Sequence, residues 1–596
     1  MKIAAKGAEV KGEGGEVEMR VGRKSGMVWV WVIALGTVVA HVATGWRYGF
    51  NRDELMALED ARHLAWGYVQ YPPMTAFFGW MALKLFGTSL VGFRFFAAAV
   101  QALALVLTGM MAKEIGKAVA RESAEEKRNS TIEIREELKS GGMVSARGAE
   151  LAAGSATKRL ADLRGRSKDR PRHEVGEWAA VIAAGAGVPF CLGGGALMQY
   201  ISFDYICWVL VAYGMVRVLQ PLVREARSGP RNSKIEDGKA ARWWVVVGLG
   251  IGLGMMAKYT MGLLAGGVVV GVLATDARRF LRSGWLWMGV LVAVGVWAPN
   301  VWWQWERGFP SVDFLRFLHA RDVSTGVTDW FFVGQLELTM LALPLALAGL
   351  WFYFWTESGK AFRAMGWMYV VPLALLVVMR GRDYYLAPAY PMLYAAGAVW
   401  IEKRWRLMSG EWRESAKLGG WIRKGLPAML AVDAMLAACV ALPIMPVNSR
   451  WWRMAAVVDT VLPEELGWEE LTATVARARD RLPESDRGRL GILARNYGEM
   501  GALNLYGERY GLPRAISGVN SSWERGYGNP PPETVIAVGY TREFLEEHFA
   551  SCELVGHPWN RYGVANEEVI EDPDIFVCRG LKGSWEEFWK KVKLFA

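Results

Sequence analysis

Apolar runs of roughly 17–25 residues recur along most of this chain, each long enough to cross about 30 Å of hydrocarbon. A soluble protein of 596 residues usually divides into several domains with far fewer such runs. A hydrophobic share of 53%, with 30 tryptophans, points the same way, since tryptophan collects at membrane–water boundaries. About eleven spans can be read, near Met27–Thr44, Leu90–Met111, Trp178–Gln199, Tyr205–Leu222, Trp243–Ala257, Met261–Ala274, Trp285–Trp302, Phe331–Trp355, Met365–Met379, Leu386–Trp400 and Leu426–Pro443. The pair flanking Lys258 reads either as two short spans joined by a tight turn or as one long tilted helix. The predicted fold class is an α-helical polytopic membrane protein.

Orientation follows from lysine and arginine in the short loops. The N-terminus holds Lys2, Lys6, Lys11, Arg20, Arg23 and Lys24. Later basic loops hold Arg224, Arg227, Arg231, Lys234 and Lys239, then Arg278, Arg279 and Arg282, then Lys403, Arg404, Arg406, Arg413 and Lys417. Eleven spans put all of these on one side, the cytoplasmic one. Asp53, Asp204, the 303–330 loop, Arg380–Tyr385 and the C-terminal tail then face outside. The same bias accounts for the net charge of +10, so the charge calls for no nucleic acid partner. The first run is long and lacks an A-x-A cleavage site, so it reads as an uncleaved span.

Three parts follow: a cytoplasmic tail at 1–26, a membrane body at 27–446 and an external domain at 447–596. Within the body, 46–89 is the first external loop. Residues 113–177 are charge-rich, mixed in sign and poor in aromatics, which reads as a partly helical, mobile cytoplasmic insert. Beyond Asn448 the apolar runs shorten. Strands at Leu490–Ala494, Thr534–Val538 and Ile575–Cys578 alternate with helical stretches at Trp468–Leu482, Tyr497–Tyr510, Arg542–Phe549 and Ser584–Lys593, the pattern of a small α/β domain. Cys191, Cys207 and Cys439 lie in spans as packing residues. Cys552 and Cys578 lie in the tail, where oxidation is permitted and a disulfide is one option.

The external loops hold the residues that can carry chemistry. Asp53 and Glu54 follow the first span, in WRYGFNRDELMALEDARHLAWGYVQYPP. A carboxylate at the membrane surface can take a proton from a hydroxyl, hold a metal, or cap the helix that follows. Asp204, in SFDYICW, sits at the outer start of a span on the same face. Lys258 ends a glycine-rich helix, where it either snorkels to the interface or holds a phosphate. Arg380 and Arg382, in MRGRDYYLAPAYP, lie where the positive-inside bias disfavours cations, which points to anion binding. WAPNVWWQWERGFP, with Trp303, is an aromatic belt or a platform for a sugar ring or lipid chain. The sequence shows no zinc spacing, Walker loop or nucleophile elbow, and GLGIGLG lies inside a span as packing glycine.

Several of these segments occur together in one family. RDELMALEDARHLAWGYVQYPP, SFDYICW, GLGMMAKYT, APNVWWQW, RGRDYYLAPAYP and the tail segment NYGEMGALNLYGERYGLPRAISGVNSSW resemble the bacterial membrane glycosyltransferases of family 39, relatives of the dolichyl-phosphate-mannose protein mannosyltransferases and of the lipid A aminoarabinose transferase. The resemblance implies a GT-C fold whose first external loop carries the catalytic acid. The donor would be a polyprenyl-phosphate-linked sugar and the acceptor a hydroxyl on a lipid, glycan or protein. The protein would sit in the inner membrane with its active site and C-terminal domain outside. Carried over, the catalytic acid falls on Asp53 with Glu54 beside it, and the second external acid on Asp204. The lysine usual before the paired tyrosines is Arg382 here, followed by Asp383, Tyr384 and Tyr385. Gln70 and Tyr71 replace the first-loop pair of the aminoarabinose enzymes, which argues against that sugar.

The reaction expected is an inverting displacement. Asp53 is the base, and Arg382, Lys258 and Arg380 bind the donor phosphate. Tyr384, Tyr385 and Trp303 contact substrate, and Asp204 orients the acceptor or helps to hold a divalent cation. No cofactor is fixed by the sequence, and a divalent metal ion is the one option. Two other readings fit the same residues: a lipid-linked sugar transporter or flippase, against which the lack of an internal repeat counts, and a non-catalytic membrane scaffold.

Overall fold

The structure is a computed structural model that describes residues 25–140, 175–228, 234–408, 413–570 and 574–596. The basic N-terminal tail (1–24) and much of the predicted insert (141–174) lie outside the described residues. Among those described, nine helices are long and apolar enough to cross a membrane. A tenth forms if Met261–Leu273 and Asp276–Arg282, bent by 99° at their junction, make one span. The chain is therefore a multi-pass membrane protein with nine to ten such helices, where the sequence reading had about eleven. The remaining run, Leu386–Trp400, is a 3-10 stretch at Asp383–Ala389 followed by the helix Tyr390–Met408. That helix is buried in the bundle against Leu343–Trp355, with Gly349 and Gly397 at the crossing. Its last turns carry Glu402, Lys403, Arg404 and Arg406, so it is not apolar throughout.

Buried Glu402 has a partner at the next helix. Its Oε2 accepts from the backbone N–H groups of Gly176 (2.8 Å) and Ala179 (3.1 Å), at the start of Glu177–Ala196. A carboxylate at a helix N-terminus satisfies otherwise orphaned donors. The helix that begins at Leu90 continues to Ser140, so the second span runs directly into the region read as an insert. Glycines let several helices approach closely. A Cβ on Gly248 would overlap the backbone of Gly289, and one on Gly289 the backbone of Trp244. This agrees with the reading of GLGIGLG as packing glycine.

The C-terminal region holds a mixed five-stranded sheet of order β2-β1-β3-β5-β4. Its strands are β1 (Leu490–Ala494), β2 (Ala515–Ile516), β3 (Thr534–Val538), β4 (Phe549–Gly556) and β5 (Ile575–Leu581). The sequence reading omitted β2, which has only two residues, and β4, which is exposed at half of its positions and so lacks an apolar pattern. Cys552 and Cys578 face each other across β4 and β5 and form a disulfide.

One hydrophobic cluster joins this region to the membrane body. Phe50, Leu55, Leu58 and Phe93 pack with Trp468, Met500, Leu503 and Ile536. The composition change near Asn448 therefore marks no break in the core.

Candidate active site

Asn51 starts the helix Arg52–Arg62 with a capping box, its side chain accepting from the helix N-terminus while Glu54 bonds back to the N–H of Asn51. This cap faces the two adjacent acids in different directions. Glu54 is fully buried. It takes Arg94 at 2.6 Å and accepts from the backbone N–H of Met198 at 2.9 Å. With all its capacity spent on anchoring, Glu54 is not the second surface acid expected from the sequence. Arg94 also bonds Glu465 at 3.1 Å, so one guanidinium gathers the first loop, a membrane helix and the C-terminal region.

Asp53 remains half-buried and open to one side. Tyr497 donates its hydroxyl to Oδ1 at 3.1 Å, and the Gln199 amide donates to Oδ2 at 3.5 Å. Burial raises its proton affinity above that of an ordinary carboxylate, Arg52 and the Tyr497 bond oppose this, and Glu54 adds to it.

Lys258 stands between the helices Trp243–Ala257 and Met261–Leu273, with three tyrosines around its ammonium. Its Nζ lies 4.0 Å from the ring centre of Tyr385, 4.6 Å from Tyr384 and 4.9 Å from Tyr200, a cation–π cage. Tyr200 bonds Tyr384 and lies within electrostatic reach of Asp53. The cage therefore links the first-loop acid to the tyrosine pair. Arg382 acts on both Asp53 and Lys258. It is held by Asp322 in a two-pronged pair at 2.5 and 2.7 Å, with the Tyr384 hydroxyl at 3.5 Å. Burial works against the charge of Arg382, and Asp322 more than offsets it, so the guanidinium is held more firmly protonated than a free one.

Asp204 is not a loop acid. The helix begins at Tyr200, and Asp204 is buried inside it, accepting from the Trp208 indole and the Thr260 hydroxyl, both at 3.1 Å. It is the charge partner of Lys258 across that pair of helices. No group of three or more His, Cys, Asp or Glu side chains stands together among the described residues.

Two predicted residues lie apart from this cluster. Arg380 is exposed and pairs with exposed Asp329 at 2.5 Å. Trp303 is buried, with Arg307 over its ring at 4.6 Å and Gly67 packed against its edge, so neither ring face is a free platform. The sequence reading missed Asp322, Gln199, Tyr200 and Tyr497. Asp322 carried no motif, and Gln199 and Tyr200 sat at a span boundary. Tyr497 stood in the quoted NYGE segment, which reads on its own as a loop and strand-end feature.

A cavity of about 990 Å³ lies at the other end of Met261–Leu273 from Lys258, lined by Arg278, Arg279, Arg282 and Lys360 with Glu225, Asp276 and Glu357. The cationic loops of the positive-inside reading are thus a helix length away from the acid cluster.

Residues 172–303 match the family described as dolichyl-phosphate-mannose-protein mannosyltransferase. The match covers that stretch of the membrane body and not the remainder of the chain. The matched stretch contains SFDYICW and GLGMMAKYT and reaches into APNVWWQW, which bears out the resemblance read from those segments. The structure has the helical membrane body and the small C-terminal sheet that the sequence leads one to expect. Among solved structures, the chain is similar to ArnT from Cupriavidus metallidurans in the apo state, at 13% identity and a TM-score of 0.46, covering 92% of this chain and 98% of that one. It is similar also to the same protein bound to undecaprenyl phosphate, at 13% identity, a TM-score of 0.47 and the same coverage. No curated protein sequence matches the chain.

Proposed function

We propose that the protein moves a sugar from a polyprenyl-phosphate donor to a hydroxyl on a lipid, glycan or protein, with inversion, on the extracytoplasmic face of the inner membrane. Residues 27–446 are the catalytic body and 447–596 the external domain. The observation that carries this reading is the cluster itself: Asp53, Lys258 and Arg382 come from three separate segments and stand within electrostatic reach through shared tyrosines. A base opposite two cations is what displacement of a lipid phosphate needs.

In the step envisaged, Asp53 takes the proton of the acceptor hydroxyl as its oxygen bonds to the anomeric carbon. The bond from that carbon to the phosphate oxygen breaks, and its electron pair leaves on the lipid phosphate. Arg382 and Lys258 stabilise the charge that develops there. Phosphate leaves readily, so no strong general acid is required. Asp204 fixes the Thr260 turn and balances Lys258. The disulfide supports the external placement of the C-terminal domain, since such bonds persist in oxidising compartments. The basic cavity at the opposite end agrees with a cytoplasmic side there.

The test is sugar release from a panel of radiolabelled polyprenyl-phosphate sugars in proteoliposomes, wild type beside Asp53→Asn. The expected outcome is release by the wild type and a loss of roughly 100-fold or more in the variant. Full transfer by a well-folded Asp53→Asn protein would sink the assignment of the base. Donor binding without release by either protein would sink the transferase reading.

A further inference from the structure

The helix Tyr497–Tyr506 of the C-terminal domain lies against the helix that carries Asp53. Gly498 and Gly501 permit the approach. A Cβ on Gly501 would stand 2.7 Å from the carbonyl oxygen of Leu55, and one on Gly498 would stand 3.0 Å from the Cβ of Arg52. Leu55 and Met500 share one buried cluster at this contact.

The start of the Tyr497 helix is fixed as firmly as that of its neighbour. Asn496 and Glu499 form a second capping box, so both facing helices begin with an asparagine and a glutamate in the same roles. The capped start aims the first side chain of one helix at the first turn of the other. The Tyr497 hydroxyl donates to Asp53 Oδ1 at 3.1 Å, and the Arg52 guanidinium lies over the Tyr497 ring at 4.8 Å. The Gln199 amide also donates to the Asp53 carboxylate, at 3.5 Å, the outer edge of hydrogen-bonding distance.

We infer that the C-terminal domain completes the active site, with Tyr497 as the positioning residue that holds the Asp53 carboxylate toward the acceptor. The inference rests on the reading of Asp53 as the base. Tyr497 touches no reacting atom and acts through Asp53. The hydroxyl donor favours the carboxylate over the carboxylic acid, so its removal raises the proton affinity of Asp53.

Tyr497→Phe in the full-length protein tests this, because it keeps the ring that Arg52 stacks on and deletes only the donor. Two readouts are taken. One is transfer from the polyprenyl-phosphate sugar panel as a function of pH. The other needs no substrate: modification of Asp53 by dicyclohexylcarbodiimide, which reacts with protonated carboxyls, followed by peptide mass spectrometry across the acid-to-neutral range. The expected result is a fall in kcat of roughly tenfold, the loss of one bond to a charged group, with the donor KM unchanged. The acid limb and the labelling midpoint both move to higher pH. Gly501→Val, which forces the two helices apart while leaving the hydroxyl in place, should reproduce both shifts. Labelling curves that superimpose on wild type for either variant overturn the inference, as does a shifted curve with unchanged kcat. A Tyr497→Phe labelling shift alongside an active Asp53→Asn protein would instead refute the base assignment, so the two failures are told apart.

Discussion

Arg382 and Asp53 illustrate how far a single side chain's role depends on its neighbours. The sequence marks both: a cation where cations are disfavoured, and an acid just past a span. Their partners decide what they can do, and the closest hydrogen bond of each comes from far along the chain. Asp322 grips Arg382 from 60 residues away, and Tyr497 reaches Asp53 across 444. Arg382→Lys keeps the charge but cannot keep the two-pronged pair. It should lower kcat by roughly tenfold or more while the fold persists, as a thermal melt beside steady-state kinetics would show; unchanged kcat would remove Arg382 from the phosphate's path. For Asp53 the sign of the pH effect is set by burial. A base must be ionised, and burial raises its proton affinity, so transfer should fall off on the acid side at a pH above the ordinary carboxylate range. A pH profile of kcat whose acid limb lies at or below that range would contradict this. Glu54 shows the opposite error of sequence reading: adjacency suggested a shared role, but neighbouring side chains on a helix point about 100° apart.

Among the structural elements, the long apolar helices and most of the tail's helices and strands were legible, because hydrophobic period and caps are local signals. The two missed strands had no such signal, one being two residues long and the other exposed at half of its positions. The run read at Leu386–Trp400 differs: an apolar half-helix continues into a charged half that stays inside the bundle through Glu402. The disulfide across β4 and β5 closes a separation of 26 residues. Reduction, or Cys578→Ser, should cost the C-terminal domain about 2–4 kcal/mol. Scanning calorimetry with and without reductant should show the unfolding midpoint moving down, and an unmoved midpoint would contradict this.

At the scale of the whole molecule, buried carboxylates hold the parts together. Glu465, on Arg94, and Glu499, in the second capping box, are both pushed up to about 7, chiefly by burial. Their ordinary value is 4.5. Between these values the native state holds protons that the unfolded chain has released, so stability falls as pH rises through that window. Glu465→Gln should flatten the dependence, and denaturation midpoints at both ends of the window would measure it. A midpoint that rises with pH in the wild type would contradict the sign. Arg94→Met leaves two buried carboxylates facing each other and should cost roughly 3–5 kcal/mol.

The Arg94 junction also bears on when the proposed site can assemble. Its carboxylates sit at 54 and 465, and the tyrosine that meets Asp53 is made later still. A ribosome that has finished every membrane helix has therefore not yet made the residues that seat the base. Stalled or clipped chains would sit in the membrane with a complete set of spans and an unseated Asp53. If the proposed transfer holds, its activity becomes a report that synthesis of the last domain is finished.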